Sequence, residues 1–144
     1  MPISSSYAAP GYQFDTVPEF GQSRDRERLS QSAMDGFFAI VEKWKLTAEQ
    51  QCDLLGGVSK SNLYSLKIAA GMRTQDELTR ISYLVGIYKA LHILLPERLA
   101  DKWMTQANDN LLFRGHTPLE YAIKRGIPGL SEVRRLLDAS RGGQ

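Results

Sequence analysis

From Ser30 onward the apolar positions of the chain recur at helical spacing. Ala33, Phe37, Ile40, Val41 and Trp44 fall at offsets of four, seven, eight and eleven, one stripe that predicts a first helix with a core face. Thr47 and Gln50 form a capping box for a short second helix, with Ala48, Cys52 and Leu55 inward and Gly56-Gly57 as its stop. Ser59 caps a third helix over 59–67 that turns Leu63 and Leu66 inward. Thr74 with Glu77 opens the longest helix, which ends near Leu95 before Pro96. Its stripe is Leu78, Ile81, Leu84, Val85, Tyr88, Leu91, His92 and Leu95, and Tyr83, Ile87, Ala90 and Leu94 add apolar area on the remaining faces. A helix so nearly apolar all round is central, and Gly86 inside it predicts a close helix crossing.

Beyond it, Pro96 starts a fifth helix with Leu99 and Trp103 inward, and a loop over 106–116 carries the turn formers Asn108 and Asn110. Thr117, Pro118 and Glu120 then make a complete helix start, and Leu119, Ala122 and Ile123 repeat until Gly126 stops the helix. Pro128 and Gly129 restart the chain. Leu130, Val133, Leu136 and Leu137 face inward along the last helix and Glu132, Arg134, Arg135 and Asp138 outward, before the chain frays into Arg141, Gly142, Gly143 and Gln144. Residues 1–28 show no period and contain Pro2, Pro10, Gly11 and Pro18. They predict a flexible arm, with Tyr7, Tyr12, Phe14 and Phe20 as aromatic groups able to dock on its own or a neighbouring subunit. The expected fold is all-α, with an arm over 1–28, a helix-turn-helix region over 29–73, and a small helical half over 74–144 merged with it through the long helix.

Helix, glycine turn, Val58-Ser59, helix is the order of a helix-turn-helix. Between Ser59 and Arg73 stand three basic residues and no acidic one. Lys60, Ser61, Asn62, Tyr64 and Lys67 are the candidate DNA-binding residues, because Asn pairs bidentately with adenine and Ser or Lys reaches bases or phosphates. The arginines at 24, 26 and 28 form a candidate phosphate-touching arm. An ordinary helical bundle with a solvated outer face is the alternative. In the common motif a small residue is followed by glycine four positions on and an apolar residue six later, here Cys52, Gly56 and Asn62. The apolar residue is Leu63, one place late, and Gly57 gives the turn room for the extra residue.

Composition excludes more than it selects. With 144 residues, 42% hydrophobic and 24% charged, the chain can bury one core or two small ones. A net charge of +2 on 18 basic and 16 acidic residues is too small to demand a polyanionic partner. The single cysteine, Cys52, makes neither an internal disulfide nor a zinc site and is expected in the core. No signal peptide or long apolar span stands out, so the cytoplasm is the expected compartment. There is no phosphate loop, dinucleotide fingerprint or nucleophile elbow. His92 sits on the apolar stripe without a carboxylate at helical spacing, and His116 precedes a helix cap with no nucleophile beside it. No catalytic residue, cofactor or metal is expected.

The run from Trp103 through Asn108, then Gly115-His-Thr-Pro-Leu-Glu120, then Val133-Arg-Arg-Leu-Leu-Asp138 and the Arg-Gly-Gly end resemble the toxin-binding domain of the Xre/MbcA/ParS antitoxin family. The similarity covers roughly residues 30 to 144 and is densest from Trp103 onward. It implies an antitoxin of a type II toxin-antitoxin module whose partner is a RES-class toxin that consumes NAD. The helix-turn-helix half would bind the operon's own promoter DNA, as a homodimer or a higher assembly with toxin, while the C-terminal half covers the toxin's cleft. Arg141, Gly142, Gly143 and Gln144 suit such a cleft. Two glycines give a thin extended backbone, and a terminal carboxylate fits basic groups built for phosphates. Arg134 and Arg135 are the alternative contact. Two other readings are a stand-alone helix-turn-helix regulator and an interaction adaptor without DNA binding.

Overall fold

The computed structural model describes residues 23–142, which form seven α-helices and one short 3-10 turn, with no strand among the described residues. They are α1 (Ser23–Lys43), α2 (Ala48–Leu54), α3 (Lys60–Ile68), α4 (Gln75–Leu94), α5 (Glu97–Lys102), α6 (Pro118–Arg125) and α7 (Ile127–Gly142), with the 3-10 turn Trp103–Thr105 after α5. The expected all-α fold is the observed one.

The helix starts are where the side chains can satisfy the free N–H groups. In the capping boxes of α2, α4 and α6 the backbone N–H of the third residue donates to the cap hydroxyl at 3.0 to 3.1 Å, and the cap N–H donates back at 2.9 to 3.0 Å. Ser59 caps α3 by accepting from the Asn62 N–H at 3.1 Å. Each such cap stabilises its helix by roughly 1 kcal/mol.

The helix ends explain the glycine pair. After α2, Gly56 (φ 98°) donates to Asp53 O at 3.0 Å and Gly57 (φ 101°) to Cys52 O at 2.9 Å, the paired bonds of a Schellman cap. The first glycine ends the helix and the second redirects the chain toward Ser59, so the extra turn residue is absorbed as expected. After α1 the same two bonds recur from Lys45 to Glu42 O and from Leu46 to Val41 O, both 3.0 Å, but with Lys45 (φ 58°) in the glycine position.

α4 lies at the centre and packs against α1, α5 and α7. One contiguous core runs through Phe37 and Trp44 of α1, Leu63 of α3, Leu78, Leu84 and Leu91 of α4, Met104, Phe113, and Val133 of α7. Burying a side chain of this size stabilises by about 1.5–3 kcal/mol, so neither half has a separable core. Polar ties fix the start of α1 to the α3–α4 connection. Ser30, fully buried, accepts from the Arg73 N–H at 2.9 Å, and Gln31 Oε1 accepts from the Ala70 N–H at 3.1 Å.

Several expectations are corrected. α1 starts at Ser23, not Ser30, so residues 23–28 belong to a helix and leave the arm, of which residues 1–22 lie outside the described residues. An Asp25–Arg28 ion pair one turn apart and Leu29 packed on the core extend the helix at this end. Along α4 the fully buried residues include Ile87 and Ala90, whereas Val85, Tyr88, His92 and Leu95 are half-buried, because packing by several helices widens and rotates the buried arc. Leu99 is 41% exposed while Ala100 and Met104 are buried. α5 spans only six residues before tightening into the 3-10 turn, and that change of pitch shifts the inward positions. The last helix continues through Arg141 and Gly142 where fraying was expected, and Gly143 and Gln144 lie outside the described residues.

Candidate functional site

α3 buries Leu63 and Leu66 and leaves Lys60, Ser61, Asn62, Tyr64 and Lys67 exposed. Lys60, Tyr64 and Lys67 follow one line of the helix, whereas Ser61 lies about a quarter-turn and Asn62 about half a turn away from it, both exposed. The Lys67 ammonium stands 5.6 Å from the Phe38 ring centroid and 5.7 Å from that of Tyr64, which places it between α3 and the Phe38 ring of α1. Arg73 does not join them. Its guanidinium donates to Glu77 Oε1 at 3.0 Å and to Ala70 O at 2.9 Å, a strut between the α3–α4 connection and α4. Burial pushes the Glu77 carboxyl up, but the Thr74 N–H, the Arg73 guanidinium and the Thr74 hydroxyl together hold it below the ordinary carboxylate range. Cys52 is buried beneath this region, and burial followed by the Asp53 charge pushes its thiol up. Arg24, Arg26 and Arg28 lie on the first two turns of α1, where Arg28 pairs with Asp25.

The second surface is the α6–α7 hairpin with the loop before it. α7 can pack tightly on α6 because of Gly129, where a Cβ would sit 2.8 Å from Arg125 Cβ and 3.2 Å from Tyr121 O. The Tyr121 hydroxyl donates to Glu132 Oε1, and Arg125 Nε donates to the same oxygen at 3.0 Å. The tyrosine bond lowers the Glu132 carboxyl pKa and raises that of the phenol. Glu132 therefore bonds back to α6 and does not simply face solvent as expected. Arg134 is half-buried, with its guanidinium across Gly86 of α4 and its Nε donating to Asp138 at 3.0 Å, while Arg135 is exposed. Arg141 lies 3.8 Å from Asp138, and Arg141 and Gly142 are exposed in the last turn. Arg134, Arg135, Arg141 and Gly142 thus share α7, but Arg134 also holds the two helices together.

Tertiary partners complete what sequence spacing missed. His92 Nδ1 lies 2.9 Å from Tyr88 O, and its Nε2 is 3.1 Å from Asp101 Oδ1 of α5 in a geometry too skewed for a hydrogen bond. Arg80, bonded to Asp76 at 2.8 Å, lies against Gly56 of the α2–α3 turn and Gly126 at the end of α6. Neither contact has a signal in the sequence. Among the described residues no cluster of His, Cys, Asp and Glu could hold a metal, and no helix is long and apolar enough to cross a membrane.

Residues 90–143, from the end of α4 through the loop to α7, match the family model of the antitoxin Xre/MbcA/ParS C-terminal toxin-binding domain. The uncharacterized protein y4oB of Sinorhizobium fredii is 36% identical over 130 residues, which cover 89% of this chain and 99% of y4oB. The chain belongs to the Xre/MbcA/ParS antitoxin family. A toxin protein is thus the partner of this antitoxin, and the matched segment contains the whole α6–α7 hairpin. Its core is completed by Leu84 and Ile87, which precede the segment on α4, so the toxin-binding region and the α1–α3 region are built on one shared helix.

Proposed function

We propose that this antitoxin neutralises a RES-class toxin by closing its NAD site and represses its own operon through α3, acting in the cytoplasm as a dimer or a larger assembly with the toxin. The reading divides the chain into an N-terminal arm, a DNA-binding region ending near Arg73, and a toxin-binding half from Thr74 onward. It rests on the match of residues 90–143 to a toxin-binding domain. The exposed end of α7, with Arg141 and Gly142, supports the tail as the closing element, together with Gly143 and Gln144. Because Arg141 and Gly142 are helical, an extended plug would require the last turn of α7 to unwind. That turn is inexpensive to open, since helix ends fray and glycine favours the coil. Arg134 and Arg135 are the alternative contact, and charge reversal at each separates them from the tail.

The experiment is co-expression with the RES-class protein encoded beside the antitoxin, reading survival and cellular NAD. Full-length antitoxin should preserve both. The chain truncated after Ala139 should fold, copurify more weakly and leave NAD depleted. Full protection by the truncated chain would remove the tail from the mechanism, and depletion with the intact chain would remove the RES-class partner.

A further inference from the structure

A leucine at the tip of a long loop is ordinarily free to move, and the loop at 107–116 is built so that Leu111 is not. Phe113 is buried and stands edge-on to Trp103 at 5.8 Å and to Tyr121 at 5.5 Å. The Asn108 N–H donates to His116 O at 3.1 Å, and the Gly115 N–H donates to Asn108 O at 2.9 Å, which closes the loop on itself. Inside it, the Asn108 and Asn110 side chains accept from the N–H groups of Asn110 and Leu112, both at 2.9 Å. Arg114 is held at φ 53°, a conformation that L residues adopt only when their surroundings impose it. This fixed scaffold presents Leu111 at 89% exposure, more than any other large apolar side chain among the described residues. The fold gains nothing from that position.

Next to the loop is a concavity of about 520 Å³ whose lining includes Leu112, Arg114, Tyr121 and Lys124. The other charges there are already engaged, Arg125 with Glu132 at 3.0 Å and Glu120 with the Thr117 cap. Among the described residues no acidic group pairs with Arg114 or Lys124. An exposed apolar side chain on a fixed backbone, beside two cations without acidic partners, loses little backbone ordering entropy on binding.

We propose that Leu111 is the anchor by which the antitoxin grips its toxin, inserted into an apolar pocket of the toxin whose rim presents carboxylates to Arg114 and Lys124. The inference rests on the toxin-inhibitor reading above and adds to it a contact that the tail does not make. The toxin is favoured over other occupants because the loop and α6 lie within the segment 90–143 that matches a toxin-binding domain.

The test uses the full antitoxin and a catalytically inactive form of the RES-class protein encoded beside it. Leu111→Asp should raise Kd at least about tenfold with no change in Tm, the loss expected of a central anchor. Lys124→Gln should slow association and flatten its salt dependence. Wild-type binding with Leu111→Asp within about twofold of it would overturn the anchor while leaving the inhibitor reading intact. No binding by the wild-type chain would overturn that reading, and the anchor with it. A change in the sedimentation of toxin-free antitoxin, with toxin affinity unaltered, would make Leu111 a contact between copies and equally overturn the proposal.

Discussion

Arg134 of α7 crosses α4 directly over Gly86, so closely that a Cβ built on the glycine would lie 1.6 Å from the guanidinium Nη1. The two next atoms, at 2.8 and 3.4 Å, also belong to Arg134. This one side chain therefore accounts for a glycine in the middle of the central helix. Alanine there would gain about 1 kcal/mol of helix propensity but would push the guanidinium off α4 and away from Asp138. In the wild-type background Gly86→Ala should change stability little. Beside Arg134→Ala the same substitution should stabilise by about 1 kcal/mol, giving a coupling of roughly 0.5–1 kcal/mol in a double-mutant cycle. Equal effects of Gly86→Ala in both backgrounds, measured by urea unfolding, would show that Arg134 does not set the crossing.

Much of this architecture is legible in the sequence because it is written locally. Thr47, Thr74 and Thr117 announce helix starts through side chains three residues away, and the caps they form are the ones observed. The glycine at 86 marks a crossing for the same reason, since nothing else in an apolar helix calls for it. What spacing cannot show is contact between distant segments. Asp101 reaches His92 from α5, and Arg80 reaches Gly56 and Gly126 from α4. Arg134 has the helical phase of an outward residue, yet its length lets it fold back over α4. For the candidate surfaces, the five α3 residues are exposed together, while Leu111 carries no pattern at all. Its exposure on a closed loop is a tertiary feature.

Lys45 occupies the left-handed position of a Schellman cap that glycine normally fills. An L side chain there costs roughly 1–2 kcal/mol, and glycine returns part of that gain through the greater freedom of the unfolded chain. Lys45→Gly should therefore raise stability by about 0.5–1 kcal/mol with an unchanged urea m-value. A lower Tm would mean that the lysine side chain contributes more to this corner than its backbone costs.

Glu77 gives the antitoxin an acid-sensitive joint. Its carboxyl, pushed up by burial but held low by Thr74 and Arg73, takes a proton less readily folded than unfolded. Stability from this group is therefore full above the unfolded carboxylate pKa of about 4.3 and is lost as pH falls through the lower folded value. Glu77→Gln keeps a capping box like that of Gln50 in α2 and removes only the charge facing Arg73. The variant should be less stable by about 1–2 kcal/mol at neutral pH, with the difference shrinking below pH ~4. A gap that stays constant from neutral to acid pH would assign the effect to packing, not to charge.

The α3 surface makes a quantitative demand on DNA binding. Lys60 and Lys67 lie seven residues apart on one exposed line, and Lys67 is steadied by the Phe38 and Tyr64 rings. If each neutralises one phosphate of the promoter, each accounts for a slope of about −0.9 in log K against log salt. Replacing both by glutamine should weaken binding to upstream DNA and reduce the magnitude of that slope by about two. Asn62→Ala, in contrast, should relax preference for the operator with little change in slope, because a base contact releases few counterions. Titrations at several salt concentrations separate the two kinds of contact. Affinity and slope unaltered in the double glutamine variant would remove α3 as the reading helix and leave the arginines at the start of α1 as the remaining cationic candidates.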